Sequence, residues 1–259
     1  MKPVEPTLQP LLEATGVTKE FAGFVAVNAV SLSLRAGERR ALIGPNGAGK
    51  TTLFNLLSGR LAPNGGDVKF KGQSILGLPA HAICKRGIAR TFQITSVYTR
   101  LTALQNVQTA LFAKRGHIHS LLRKASGVCV DEARAYLELV GLIHLAGATA
   151  GEMSYGDQKR LELAMVMSLE PSLLLFDEPT AGVENQARRE LVALIKDLCA
   201  RKGLTLLFCE HDMDAVFSIA DRITVLHQGR VLTEGTPEEI QNNPQVREIY
   251  LGSSHGRAA

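Results

Sequence analysis

Hydrophobic and polar positions change period several times along the chain. From Ala14 to Arg35 they alternate residue by residue, Val27, Ala29, Ser31 and Ser33 against Val30, Leu32 and Leu34, which predicts strands joined at a turn around Gly23. Arg40 to Ile43 reads as a short buried strand. The glycine-rich run after it opens a helix whose apolar positions are Leu53, Phe54, Leu56 and Leu57. Pro63-Asn64-Gly65-Gly66 signals a turn before another strand from Asp67 to Phe70. From Thr102 to about Gly141 the period lengthens to that of a helix, with Leu104, Val107 and Leu111 on one face and Ala133, Tyr136, Leu137 and Val140 on another. Within it, Lys114 to Gly127 is basic and polar and reads as a loop or frayed helix. A helix carrying Leu161, Leu163, Ala164 and Met167 follows Ser154. Strands at Ser172–Phe176, Leu204–Cys209 and Ile223–Leu226 then alternate with helices from Asn185 and Asp212.

Strands alternating with helices predict an α/β fold, a mainly parallel sheet covered on both faces, with the helical middle as an insertion. Composition agrees: 45% hydrophobic and 21% charged residues over 259 positions describe a globular chain able to bury a sizeable core. The formal charge is only +4 and no long like-charge run occurs, which argues against a nucleic-acid-binding arm. Cys84, Cys129, Cys199 and Cys209 have no metal-ligand spacing and read as small apolar side chains in a reducing compartment. Met1 to Pro10 lacks the apolar run of a signal peptide, and no stretch reaches the ~18 apolar residues of a membrane span. A cytosolic chain is expected, whose contact with a membrane runs through a partner.

The chemistry concentrates at two places. Gly44-Pro45-Asn46-Gly47-Ala48-Gly49-Lys50-Thr51, followed by Thr52, fits G-x-x-x-x-G-K-[ST] between a strand and a helix. Glycines let backbone N–H groups turn inward around phosphate oxygens, and the helix N-terminus adds positive partial charge. Lys50 can reach the terminal phosphates of a nucleotide, and the Thr51 hydroxyl can bind Mg²⁺. The second place is Leu173 to Glu178, an apolar strand ending in two acids at the sheet edge where α/β folds bind ligands. Alternation sends the two carboxylates in different directions, Asp177 towards a metal shell and Glu178 towards the terminal phosphate and a water.

With these motifs the sequence resembles an ATP-binding cassette (ABC) ATPase. Met153-Ser154-Tyr155-Gly156-Asp157-Gln158 is similar to that family's signature motif, usually Leu-Ser-Gly-Gly-Gln, Gln93 to its Q-loop residue and His211 to its switch histidine. The wording of Gly87 to Gln93, Ser154-Tyr155-Gly156, Glu210 to Met213 and Gly235 to Glu239 resembles the ATP-binding subunits of bacterial branched-chain amino acid importers. So does the C-terminal Asn242-Asn243-Pro244 followed by Tyr250-Leu251-Gly252. The resemblance implies a P-loop NTPase fold in one domain over residues 12–252: a RecA-like core (about 12–93 and 166–252) with an N-terminal antiparallel β subdomain, and a helical subdomain (about 94–165). Residues 1–11 and 253–259 are expected as flexible tails.

The same resemblance implies the division of labour. ATP and Mg²⁺ are the cofactors. Residues Gly44 to Thr52 hold the phosphates, Phe21 stacks on adenine, Thr51, Gln93 and Asp177 serve Mg²⁺, and Glu178, His211 and Lys50 carry the catalysis. Ser154 and Gly156 close over the nucleotide of a second subunit in a head-to-tail homodimer or heterodimer. Further partners are integral-membrane permease subunits, contacted through a groove at Ile94, Val97, Tyr98 and Leu101, and indirectly a periplasmic binding protein. No nucleic acid is expected. The place of work is then the cytoplasmic face of the bacterial inner membrane. Asp157 departs from the signature pattern, Glu184 stands where the D-loop commonly has Asp or Asn, and the Lys114–Gly127 segment is short for this branch. His117 and His119 form an HxH read as solvated loop. Other cargoes (urea, amides, other amino acids), an export system, or a soluble ABC protein acting on ribosomes or DNA are the rival readings.

Overall fold

The computed structural model describes residues 9–91, 97–115 and 128–252. Along the chain the elements are β1 (Leu12–Phe21), β2 (Phe24–Leu34), β3 (Arg39–Ile43), α1 (Lys50–Leu57), β4 (Gly65–Phe70), β5 (Gln73–Ser74), α2 (Ala80–Arg86), β6 (Ile88–Arg90), α3 (Ala103–Arg115) and α4 (Val130–Leu139). They continue with α5 (Tyr155–Met167), β7 (Leu173–Asp177), α6 (Asn185–Lys202), β8 (Thr205–Cys209), α7 (Met213–Ile219), β9 (Arg222–His227), β10 (Arg230–Gly235), α8 (Pro237–Asn242) and α9 (Pro244–Gly252).

Two sheets result. A four-stranded antiparallel sheet has the order β2-β1-β4-β5, and a six-stranded sheet has the order β10-β9-β3-β8-β7-β6. In the second, every pairing from β9 to β6 is parallel and only β10 runs antiparallel, on the edge. The β1–β2 hairpin turns at Ala22 and Gly23, both at positive φ, the conformation a two-residue connection needs to match strand twist. The simple alternation expected along β2 does not persist. Ala29 takes a φ of 50° and its N–H donates to Thr18 Oγ1 at 3.0 Å, so the strand slips by one residue. Val27 consequently points into the core with Val30, Leu32 and Leu34 instead of outward with Ser31 and Ser33.

The large sheet is buried on both faces, and the parity of its residues decides which layer each touches. On β7, Leu173 and Leu175 pack with Leu42, Leu207 and Cys209 against α1 (Leu53, Phe54, Leu57) and the antiparallel sheet. Leu174 and Phe176 pack with Ile43, Leu206, Phe208 and Val225 on the opposite face, against α5, α6 and α7. Each such leucine contributes about 1.5–3 kcal/mol through burial. The helices α3, α4 and α5 extend this second core through Val107, Leu111, Ala133, Leu137 and Leu161. Tyr136 and Leu104 lie at its margin.

Candidate active site

The phosphate loop leaves the C-terminal end of β3, the strand between β8 and β9, and enters α1. Its glycines are there for close approach. A Cβ at Gly44 would lie 2.2 Å from the Leu226 carbonyl oxygen, and one at Gly49, where φ is 99°, would lie 2.4 Å from that of Ala26. The first N–H groups of α1 have no partner within the helix and face the loop, as an anion site requires. Lys50 curls over the loop and donates to the carbonyls of Gly44 at 2.6 Å and Pro45 at 3.1 Å. Burial pushes its ammonium below the usual lysine range, opposed by the nearby carboxylates of Glu178 and Asp177. Gly229, in the β9–β10 turn, braces the loop from behind: its N–H donates to Ala48 O at 3.0 Å and its carbonyl accepts from Asn28 N–H at 2.8 Å.

Asp177 closes β7 with the parity of Leu173 and Leu175, so its carboxylate faces α1. It is buried and accepts from Arg90 Nη2 at 2.9 Å. Glu178 leaves the strand direction, its φ at 54°, while its N–H still continues the ladder to Cys209 O at 3.0 Å. Its Oε1 lies 2.8 Å from His211 Nε2, with the imidazole half exposed. Glu210, 5% exposed, joins the two segments: Oε1 accepts from Thr180 N–H at 2.8 Å and Oε2 from His211 N–H at 3.2 Å.

Ser154 caps α5, accepting from Asp157 N–H at 3.1 Å and donating to Asp157 Oδ2 at 2.7 Å. Asp157 thus serves the cap of its own helix. Tyr155 lies against Gly182, where an added Cβ would stand 3.3 Å from its ring, and a Cβ on Gly156 would lie 3.1 Å from that of Ala187. Among the described residues no hydrogen bond joins Ser154 or Gly156 to the phosphate loop of the same chain. Phe21 is 43% exposed at the end of β1, its ring under Lys19 Nζ at 5.2 Å. Val97 packs on the core, whereas Tyr98 is 53% exposed. Glu184 precedes α6 without capping it through its side chain. Gln93, Ile94, His117 and His119 lie outside the described residues.

A family model described as ABC transporter matches residues 27–181, from β2 through the phosphate loop to the residues just after Glu178. The chain belongs to the ABC transporter family. A second model, the branched-chain amino acid ATP-binding cassette transporter, matches residues 230–256. The high-affinity branched-chain amino acid transport ATP-binding protein LivG of Salmonella typhimurium is 43% identical over 253 residues, covering 95% of this chain and 99% of its own. BraF of Pseudomonas aeruginosa, with the same description, is 40% identical over 256 residues and the same shares. A nucleotide-free ATP-binding cassette from an ABC transporter superposes with a TM-score of 0.83 at 31% identity, over 93% of this chain and 99% of that one. A solved structure described as the ADP conformation of an ATP-binding cassette of an ABC transporter gives 0.83 at 30% identity, over 94% and 99%.

In this ABC transporter subunit the fold brings Lys50, Asp177, Glu178 and His211 to one edge of the large sheet, and leaves Ser154 and Gly156 on α5. The donors fit their expected groups. The cradle of Gly44 and Gly49 admits no side chain, and the hydroxyl of Thr51, exposed at the start of α1, and the Asp177 carboxylate are the hard oxygen ligands that suit Mg²⁺. Two functional-looking residues escaped the sequence reading. Arg90 and Glu210 stand inside quoted motifs, yet only the structure gives them partners. Among the described residues no helix is long and apolar enough to cross a membrane.

Proposed function

We propose that the chain is the ATP-binding and hydrolysing subunit of a membrane importer for branched-chain amino acids. It works at the cytoplasmic face of a bacterial inner membrane as one of a head-to-tail pair that drives permease subunits. The observation that carries the reading is the Glu178–His211 pair, 2.8 Å apart, at the same sheet edge as Lys50 and Asp177. The cargo rests on the names of relatives that match along nearly the whole chain.

In this reading Gly44 to Thr52 wrap the phosphates, and Lys50 exchanges its two carbonyl partners for phosphate oxygens. Phe21 offers an exposed aromatic face to adenine. Thr51 and Asp177, with Gln93, would hold Mg²⁺, and the ion when bound would supply positive charge against that developing on the phosphates. Glu178 polarises the attacking water and His211 fixes that carboxylate. Ser154 and Gly156, at the N-terminus of α5, face the nucleotide of the partner subunit. One domain over 12–252 carries all of this, with the core at about 12–93 and 166–252 and the helical subdomain at about 94–165. Tyr98, exposed near the start of that subdomain, belongs to the surface offered to the permease.

Uptake of labelled leucine, with proline and urea as comparisons, is the test, in cells whose single copy carries Glu178→Gln and which have no second leucine system. Selective loss of leucine uptake is the expected result. Unchanged leucine uptake, with purified wild type still hydrolysing ATP, would discard the cargo and keep the ATPase.

A further inference from the structure

Arg90 ends β6 opposite Leu175 of β7, and its parity with Ile88 turns it to the α1 side of the sheet. Its side chain is 8% exposed, and both terminal nitrogens are paired while Nε is buried without a hydrogen-bond partner among the described residues. Nη2 donates to Asp177 Oδ2 at 2.9 Å, while Nη1 donates to Asn55 Oδ1 at 2.7 Å and Ser58 Oγ at 3.0 Å, both on or at the end of α1. The guanidinium lies 5.6 Å from the centroid of the Phe54 ring. A guanidinium stays charged in a protein, and a planar fork anchored on α1 cannot swing away from the carboxylate as a lysine could. Arg90 therefore presents a fixed positive charge to the acid expected to serve the metal.

We infer that Arg90 is a positioning residue that withholds Asp177 from divalent metal until nucleotide phosphates share the ion. The inference rests on the reading of Asp177 as a metal ligand. Mg²⁺ gives up its waters reluctantly, and sites of this kind hold it with one or two carboxylates together with substrate phosphates. With one carboxylate oxygen committed to a guanidinium 2.9 Å away, Asp177 lacks the charge to capture the ion alone. The phosphates bring the missing negative charge, so metal and nucleotide enter together. The anchors at Asn55 and Ser58 matter because they hold the cation on the helix that follows the phosphate loop, leaving Asp177 as the partner that turns.

Mn²⁺ binding to the purified chain, followed by electron paramagnetic resonance with and without ADP, tests this. Wild type is expected to bind Mn²⁺ weakly without nucleotide, and Asp177→Asn to leave that weak binding unchanged. Arg90→Gln is expected to tighten nucleotide-free Mn²⁺ binding at least tenfold, and adding Asp177→Asn to that variant to abolish the gain. Loss of packing alone would not tighten metal binding. An unchanged nucleotide-free affinity in folded Arg90→Gln overturns the inference. If that variant does not fold, weakened nucleotide-free Mn²⁺ binding in Asp177→Asn overturns it, because Asp177 would then take metal with Arg90 in place. In the presence of ADP, Asp177→Asn is expected to weaken Mn²⁺ binding. If it does not, the metal reading of Asp177 fails, and the inference falls with it.

Discussion

Glu210 connects the two acid–base segments through one carboxylate, accepting from Thr180 N–H and His211 N–H while buried. A glutamine there keeps one acceptor oxygen and turns an NH₂ towards the other backbone N–H. Leaving a buried donor unsatisfied costs about 1–3 kcal/mol, and here the displaced backbone carries Glu178 and His211. Glu210→Gln should lower turnover more than tenfold with nucleotide affinity within about twofold of wild type. Steady-state kinetics beside equilibrium binding of a fluorescent nucleotide would separate the two, and an equal loss in both would assign Glu210 to the general fold. Lys50→Ala should lose tight nucleotide binding altogether in the same assay; retained micromolar affinity would sink the phosphate-loop assignment. These residues differ in how plainly the sequence announces them. Lys50, Asp177 and Glu178 lie in contiguous motifs whose spacing encodes their chemistry. Arg90 and Glu210 are single charges at strand ends, and their decisive partners lie 87 and 30 residues away. Nothing local distinguishes them from solvated surface.

Elements with two buried faces or a strong cap were legible, and those whose burial is uneven were not. β7 and β8 are buried at every position, so their apolar runs stand out. β10 is buried only at Gly235 and otherwise mixed, which leaves no period to read. The slip at Ala29 was equally hidden, since its cause is a left-handed backbone at a residue with no turn chemistry of its own. Helix α7 shows what a cap supplies. Asp212 Oδ1 accepts from Asp214 N–H at 3.0 Å and Ala215 N–H at 3.2 Å, and Oδ2 accepts from Arg188 at 2.6 Å. The Arg188 hydrogen bond, then the backbone N–H groups, hold its carboxyl below the usual range. The folded state thus binds the Asp212 proton less readily than the unfolded chain. Its contribution is complete above the unfolded value near 3.8 and fades as pH falls through the lower folded value. Asp212→Ala should cost about 1 kcal/mol near neutrality, mostly as a lost cap because the ion pair is partly exposed. The gap between urea melts of the two proteins should narrow as the pH is taken below 3.8; a gap of unchanged size there would refute the linkage.

At the scale of the molecule, the phosphate loop and the helix that begins at Ser154 belong to different parts of one chain, without a hydrogen bond between them among the described residues. In the proposed function a nucleotide held by one subunit takes its second wall from another. Glu178→Gln, which removes the carboxylate proposed to polarise the attacking water, should still bind nucleotide and accumulate as a nucleotide-bound dimer at saturating Mg-ATP, read by light scattering. A monomer under those conditions would count against the sandwich. The strand order also has a consequence for how the protein comes into being on the ribosome. The loop at residues 44–52 is translated early, yet β3 is flanked by β8 and β9, and its rear brace, Gly229, emerges almost 180 residues after Lys50. Pairings of such long sequence separation form late. Nascent chains thus carry the whole nucleotide motif well before they can hold its ligand, and only a polypeptide extended past Gly229 enters competition for the cell's ATP.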